Sequence, residues 1–402
     1  MNKKPLHGIK VLDLGQGVAA PYCGLLLAQY GAEVIKVEPI NGDWARGLGA
    51  PKGDQTAYSI YYNLGKKGIA IDLKTKEGLD VILKLASNSD VVLENFRPGV
   101  VDRLGIGFED VRALNSKVLY ASVSGFGQTG PYSDRPGSDT VLQAFSGLVS
   151  LNRDKDDIPQ KVGTIVVDVI TGLCAFQAVS MELFGGVREA KLLDLSLLQS
   201  AANLLAPNIA DFFISGGPPV LLNVPAGTYQ TRDGWIAVTL VKEEQFANLC
   251  KIIRELKLAG DRRFSSFKNR AKNKHSLMEI IQSKIKSKTS NEWLKLFTEE
   301  GILTSPVNSL GDWLKDPHVN AINAYSEVYQ PHLGNIPIAS LPGGIPLKGI
   351  APGIGSNTEE ILSSNGFSKN DINDLISKRI ILSSEAEDEL SLIHISEPTR
   401  PY

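Results

Sequence analysis

The chain has 402 residues, 43% of them hydrophobic and 21% charged, enough to bury the cores of two domains of about 100 to 200 residues each. A formal net charge of -2 gives no overall basic field, so binding to nucleic acid or to an anionic membrane would need a local patch. Three cysteines, Cys23, Cys174 and Cys250, lie far apart in apolar surroundings, which argues against a disulfide framework or a zinc site.

Taken in chain order, the first half alternates short β-branched runs with helical periods. Strands are expected at 9–13, 33–37, 68–72, 91–93 and 118–123, with helices at 21–30 and 78–86 between them. That order predicts βαβ units and a mainly parallel sheet. Residues 164–167 read either as a strand end or as the first turn of a buried helix running to Met181. A long apolar helix is expected over 195–213, bent near Pro207. Beyond Gly216 the texture changes to one clear strand at 235–240 and helices rich in Lys and Glu to about Val319. A closing helix pair is expected over 352–376, with Asn357 to Glu360 as its capping box. The terminal residues continue no periodic pattern and read as a tail, 385–402, that is foreign to the fold.

The N-terminus has lysines but no apolar stretch behind them, and no uninterrupted apolar run approaches the ~18 residues of a membrane span, so a cytoplasmic protein is expected. The basic cluster Arg262, Arg263, Lys268, Arg270, Lys272 and Lys274 reads as a solvated helix face or loop. Single histidines and the absence of a Gly-x-Ser-x-Gly elbow or a His-Glu-x-x-His pair remove the common hydrolase readings.

Asp168 is the residue that most needs an explanation, because a carboxylate inside the apolar stretch 162–175 must cap, pair or react. The structural reading makes it the N-cap of a helix beginning at Val169, which would also hold it ionised at neutral pH as a nucleophile requires. Gly15, Gln16 and Gly17 in the first βα turn, with Glu38 about twenty residues later, have the form of a dinucleotide fingerprint. They fit equally a tight turn that packs helix on sheet. Asn95, Phe96 and Arg97, with Arg103, sit on a loop after a strand, where ligand crevices form. Phe96 could stack on a base and the arginines could fork onto phosphate, or both could be solvated. Lys66, Lys67 and Lys74 could join a phosphate site or solubilise a strand edge. Residues 123–131 form a glycine-rich loop flexible enough to cover a site.

Together these segments resemble the family III coenzyme A transferases, the CaiB/BaiF group that includes formyl-CoA transferase. The resemblance is carried by Gly-Ile-Lys-Val-Leu-Asp-Leu at 8–14, Ala-Pro-Tyr-Cys at 20–23 and Gly-Ala-Glu-Val-Ile-Lys-Val-Glu at 31–38. It continues through Gly-Asp at 42–43, Asp-Leu-Lys at 72–74, Asn-Phe-Arg-Pro-Gly at 95–99, Ser-Gly-Phe-Gly at 124–127, Asp-Leu-Ser-Leu at 194–197 and Asn-Thr-Glu-Glu at 357–360. The resemblance implies an α/β fold with a Rossmann-like large domain built from 1–215 and 326–384, an inserted smaller α+β domain at 216–325, and an interlocked homodimer. It implies an enzyme that moves coenzyme A from an acyl-CoA thioester to a carboxylic acid, with Asp168 as nucleophile. No cofactor would be bound permanently, because the coenzyme A thioester is a substrate, and neither nucleic acid nor membrane would be a partner. Gln16, Gly17, Val18 and Ala19 would line the thioester region. Ile71, Lys74, Asn95 and Phe96 would hold adenine and ribose, and Arg97 and Arg103 would bind phosphate.

The related α-methylacyl-CoA racemases place a histidine where this chain has Ser138. Loss of that second acid-base group favours transfer over racemisation. A coenzyme A- or nucleotide-binding module without chemistry and an NAD-dependent dehydrogenase are the other readings. One departure stands out, because formyl-CoA transferase covers its intermediate with consecutive glycines, whereas 222–229 here reads Leu-Asn-Val-Pro-Ala-Gly-Thr-Tyr.

Overall fold

The computed structural model describes residues 4–154, 156–186, 189–217 and 223–383. The expected tail at 385–402 and Leu222 lie outside the described residues. The chain divides into two compact units, residues 1–206 with 323–402, and residues 207–322.

Unit 1 is built on six parallel strands. These are β1 (Lys10–Asp13), β2 (Glu33–Glu38), β3 (Lys67–Ile71), β4 (Val91–Glu94), β5 (Leu119–Ser124) and β6 (Lys191–Ser196). Their order is β3-β2-β1-β4-β5-β6, and a short antiparallel strand at Ile381–Leu382 closes the β3 edge. The strand order reverses between β1 and β4, so the loops leaving their C-terminal ends part there and open a crevice.

Side chains alternate across this sheet with the period of two that strands impose. Leu12, Val37, Ile69, Ile71 and Val92 face one layer, where Val81, Ile82, Leu362 and Leu375 pack on them from the helices Lys76–Ser87, Thr358–Ser364 and Lys369–Ser377. Val11, Val34, Val91, Leu93 and Ala121 face the other layer, which holds α1 (Ala19–Gln29) and α2 (Val166–Gly185). Ile35 and Val37 face the first layer, so Lys36 between them faces α1, and by the same alternation Asp13 follows Val11.

Several local expectations change. Residues 166–167 are helix, because α2 starts at Val166. The segment expected as one bent helix begins instead as β6, whose pairing to β5 runs from Lys191 to Ser196. Helices Leu197–Leu204 and Ala206–Ser215 follow, the break falling just before Pro207. Ser196 ends the strand and caps the next helix by accepting from the Gln199 N–H, a role that period alone did not show. Asn357 makes no side-chain cap. Its Oδ1 accepts from the Gly68 N–H and its Nδ2 donates to Glu360. The helix α2 is long and apolar enough to cross a membrane by length and composition alone, a test that core helices also pass.

Unit 2 has a three-stranded antiparallel sheet, Gly227–Gln230, Trp235–Thr239 and Leu303–Pro306, covered by helices around Leu249, Phe264, Leu277, Trp293 and Phe297. Arg270, expected in a solvated cluster, is buried. Its guanidinium donates to the Val224 and Phe264 carbonyls and to Glu243, and lies 4.5 and 4.4 Å from the Phe246 and Phe267 ring centroids. Lone polar neighbours in the sequence did not reveal that aromatic sandwich.

One glycine sets the distance between α1 and α2. A Cβ on Gly172 would lie 2.8 Å from the Ala19 carbonyl oxygen and 2.8 Å from the Tyr22 Cβ, so the backbones meet there with no side chain between. Gly172→Val is expected to lose about 1–3 kcal/mol through overpacking, measured as a lower denaturation midpoint with an unchanged slope.

Candidate active site

The turn after β1 carries no capping side chain for α1, since its N-cap is Val18, but almost every other polar group in the turn is occupied. Asp13 accepts from the Gly15 N–H at 2.9 Å, and the Lys36 ammonium donates to the Gly15 carbonyl. Asn95 clasps Gln16 from β4, accepting its N–H and donating to its carbonyl, both at 2.7 Å. Asp43 accepts from the Gly17 N–H. Gly17 has φ +76°, and a Cβ there would fall 2.0 Å from the Trp44 ring. Glycine is therefore required for both its conformation and its lack of volume.

These occupied groups correct three expectations. The Gly15 to Gly17 amides are not free to cradle a pyrophosphate or an oxyanion. Glu38, the acid a dinucleotide ribose would need, is buried, accepting from the Asp43 N–H and from Arg46 at 2.8 and 2.7 Å. Lys66 is no phosphate ligand either, because it is buried against Asp13 at 2.7 Å, the Pro21 carbonyl and Asn63. Burial lowers its pKa further than Asp13 restores it. For Lys36 burial acts in the same direction, but Asp43, Asp13 and Glu38 outweigh it and raise the pKa.

Asp168 lies in the first turn of α2 and is not its cap. The capping carboxylate belongs to Asp139, buried at the start of the helix Asp139–Phe145. Its Oδ1 accepts from the Val167 N–H at 2.7 Å and the Asp168 N–H at 3.2 Å, while Gln143 donates to its Oδ2 at 2.6 Å. The Asp168 carboxylate itself accepts no hydrogen bond among the described residues. Burial, and then the charge of Asp139, push its pKa up to about 7. The expected helix cap would have held Asp168 ionised, whereas burial and Asp139 act in the opposite direction.

A cavity of roughly 280 Å³ opens at the crevice between β1 and β4, bringing Asp168 together with Gln16, Val18, Ala19, Asn95, Phe96 and Arg97. Gly17 stands between them with its N–H turned to Asp43. Ile71, Lys74 and Arg103 do not line this cavity. Ile71 is wholly buried in β3, Lys74 is exposed just beyond it, and Arg103 is exposed with a guanidinium nitrogen near Gly99. Ser138, the place of the racemase histidine, also lines the cavity, with Trp44, Arg135 and Asp139, which sequence reasoning did not single out as site residues. For Asp139 the available signal was its place next to Ser138 in the sequence. Nothing in the sequence brought Trp44 to Gly17. Glu94, under the same loop, accepts from the Phe96 N–H at 2.8 Å, and burial pushes its pKa up to about 7.

Against known proteins, residues 6–352 match the model of CoA-transferase family III. The chain belongs to that family. It is 35% identical over 335 residues to the succinate–glutarate CoA-transferase of Agrobacterium fabrum, covering 79% of this chain and 84% of that one. With the human succinyl-CoA:glutarate CoA-transferase it shares 33% identity over 352 residues, 85% of this chain and 80% of the relative. A CaiB/BaiF family protein from Brucella suis has the same fold, with a TM-score of 0.78 and 28% identity over 90% of this chain and all of that one. The family III chain is accordingly an enzyme, an acyl-CoA:carboxylate CoA-transferase.

The raised pKa has a consequence for stability. Unfolded, Asp168 ionises near its ordinary value of about 3.9, whereas folded it keeps its proton to about 7. Between those values unfolding releases a proton, so this group's contribution to stability falls as pH rises and is level above pH 7. Asp168→Asn is expected to melt a few degrees above the unmodified protein at pH 8, with the difference vanishing towards pH 4 in differential scanning calorimetry.

Proposed function

We propose that Asp168 performs coenzyme A transfer through covalent intermediates. The observation that carries this reading is a carboxylate with no hydrogen-bond partner among the described residues, at a helix start inside a cavity, beside a second helix start without a side-chain cap. An Asp168 oxygen attacks the thioester carbonyl, the C–S bond breaks, and an aspartyl acyl anhydride and coenzyme A thiolate form. The thiolate attacks the aspartyl carbonyl, releasing the first acid as its carboxylate and leaving an aspartyl-CoA thioester. The acceptor carboxylate then enters and the two steps reverse.

A carboxylate whose pKa is raised towards 7 is more basic than a solvated one and is deprotonated in a useful fraction at neutral pH. The first-turn amides of α1, at Val18 and Ala19, replace the occupied Gln16 turn as donors to the developing oxyanions. The Gln16 side-chain amide, which makes no hydrogen bond among the described residues, faces the same space. Asn95, Phe96 and Arg97, with Ile71, Lys74 and Arg103 beyond the cavity, would hold the nucleotide end of coenzyme A. The acids named for the succinate–glutarate relatives carry two carboxyl groups, which supports a dicarboxylic acyl group here. Ser138 offers no basic group to return an α-proton, which favours transfer over racemisation.

Incubation with succinyl-CoA is expected to add coenzyme A to the peptide containing Asp168, detected by mass spectrometry. Asp168→Ala should lose the adduct and at least about 1,000-fold in rate while still binding coenzyme A. Retained transfer would exclude Asp168 as nucleophile.

The interlocked homodimer is the second part of the proposal. It is supported by α2, where Leu173, Met181 and Phe184 present an apolar face, Phe184 being 90% exposed. Phe184→Glu is expected to shift the species seen by light scattering from dimer towards monomer. An unchanged dimer would remove this face from the interface.

A further inference from the structure

Arg135 lies in the same cavity as Asp168, and its guanidinium forms neither an ion pair nor a hydrogen bond among the described residues. It is held in place all the same. The guanidinium carbon sits 3.7 Å from the centroid of the Tyr132 ring. Tyr132 in turn packs edge-on against Phe126 and Phe145, with centroids 6.1 and 5.7 Å away, and those two rings meet at 5.2 Å. The loop carrying Arg135 is fixed to the end of β5 by a backbone approach, since a Cβ on Gly125 would lie 2.9 Å from the Gly137 Cα. Stacking on a braced ring costs the arginine side chain its freedom before any ligand arrives, so less entropy is lost on binding.

The position of this cation distinguishes it from Arg97. Arg97 follows Asn95 and Phe96 on the β4 loop, whereas Arg135 precedes Asp139, the cap of the Asp168 helix. Both Arg135 and Asp168 line this cavity. A guanidinium fork in the cavity that holds Asp168 calls for a planar anion on the acyl group.

We infer that Arg135 is the specificity residue for a second carboxylate on the acyl group, an inference that rests on the transfer reading above. One carboxyl reacts at Asp168 while the other is forked by Arg135, which sets the acyl chain length.

The test compares kcat/KM for glutarate with that for pentanoate, an acid of equal length without the second carboxyl, using one fixed acyl-CoA donor so that donor effects cancel. The unmodified enzyme is expected to favour glutarate by about 100-fold, and Arg135→Gln to remove most of that ratio, mainly through KM for glutarate. Arg135→Lys, which keeps the charge but not the fork, should restore only part, and serves also if the glutamine variant does not fold. Circular dichroism checks the fold of each. A ratio unchanged in both variants, or no preference in the unmodified enzyme, overturns the assignment of Arg135. Failure of the unmodified enzyme to form an Asp168 adduct with any donor overturns the transfer mechanism itself and is read separately, by mass.

Discussion

The carboxylate of Asp139 is the constraint on which the site depends. A helix start leaves backbone N–H groups without partners, and α2 begins with Val166 and Val167, which offer none. Asp139 reaches across from another helix and accepts two of them. Gln143, one turn on, binds the Thr164 carbonyl and the Val162 N–H, so the whole approach to α2 is held from the same helix. One negative charge thereby does two things. It fixes where Asp168 sits and, by its proximity, raises the cost of ionising it.

Beneath this lies an older problem of folding, the burial of charge. Asp13 with Lys66 and Lys36 with Asp43 are ion pairs with almost no exposure, where removing one partner typically costs about 3–5 kcal/mol. Such pairs add little net stability over apolar packing, but they constrain geometry. Asp13, Lys36 and Asp43, joined by Asn95, fix the backbone of the turn from Gly15 to Gly17. The turn is thus a rigid floor whose polar groups face the protein, while the open helix end at Val18 and Ala19 faces the cavity. The reversal of strand order between β1 and β4 gives this floor its place beside the Asn95 loop.

The βαβ order was legible because apolar runs of strand length and helical periods alternate plainly through residue 123. The strand β6 was not, because Lys191 to Ser196 runs without a break into an apolar helix and its pairing to β5 is non-local. At the site, the position of Asp168 was legible as an anomaly, a carboxylate where neighbours prefer to leave water. Its partner was not, since twenty-nine residues separate it from Asp139 and hydrogen bonds across that span leave no periodic trace. For the same reason the sequence did not reveal the bracing of Arg135, beyond the glycine-rich loop at 123–131, by Tyr132, Phe126 and Phe145.

The sequence by itself determined the class of the fold and the family and singled out Asp168 as an oddly placed carboxylate, because local periodicity and ordered motifs survive in one dimension. Only the tertiary structure decided which groups remain free to act. The amides of the glycine turn proved occupied, Lys66 and Glu38 proved buried in pairs, and burial beside Asp139 raises the pKa of Asp168. The physical reason is that availability and charge are set by desolvation and by neighbours brought together across the sheet, and neither is a property of a residue type or its spacing.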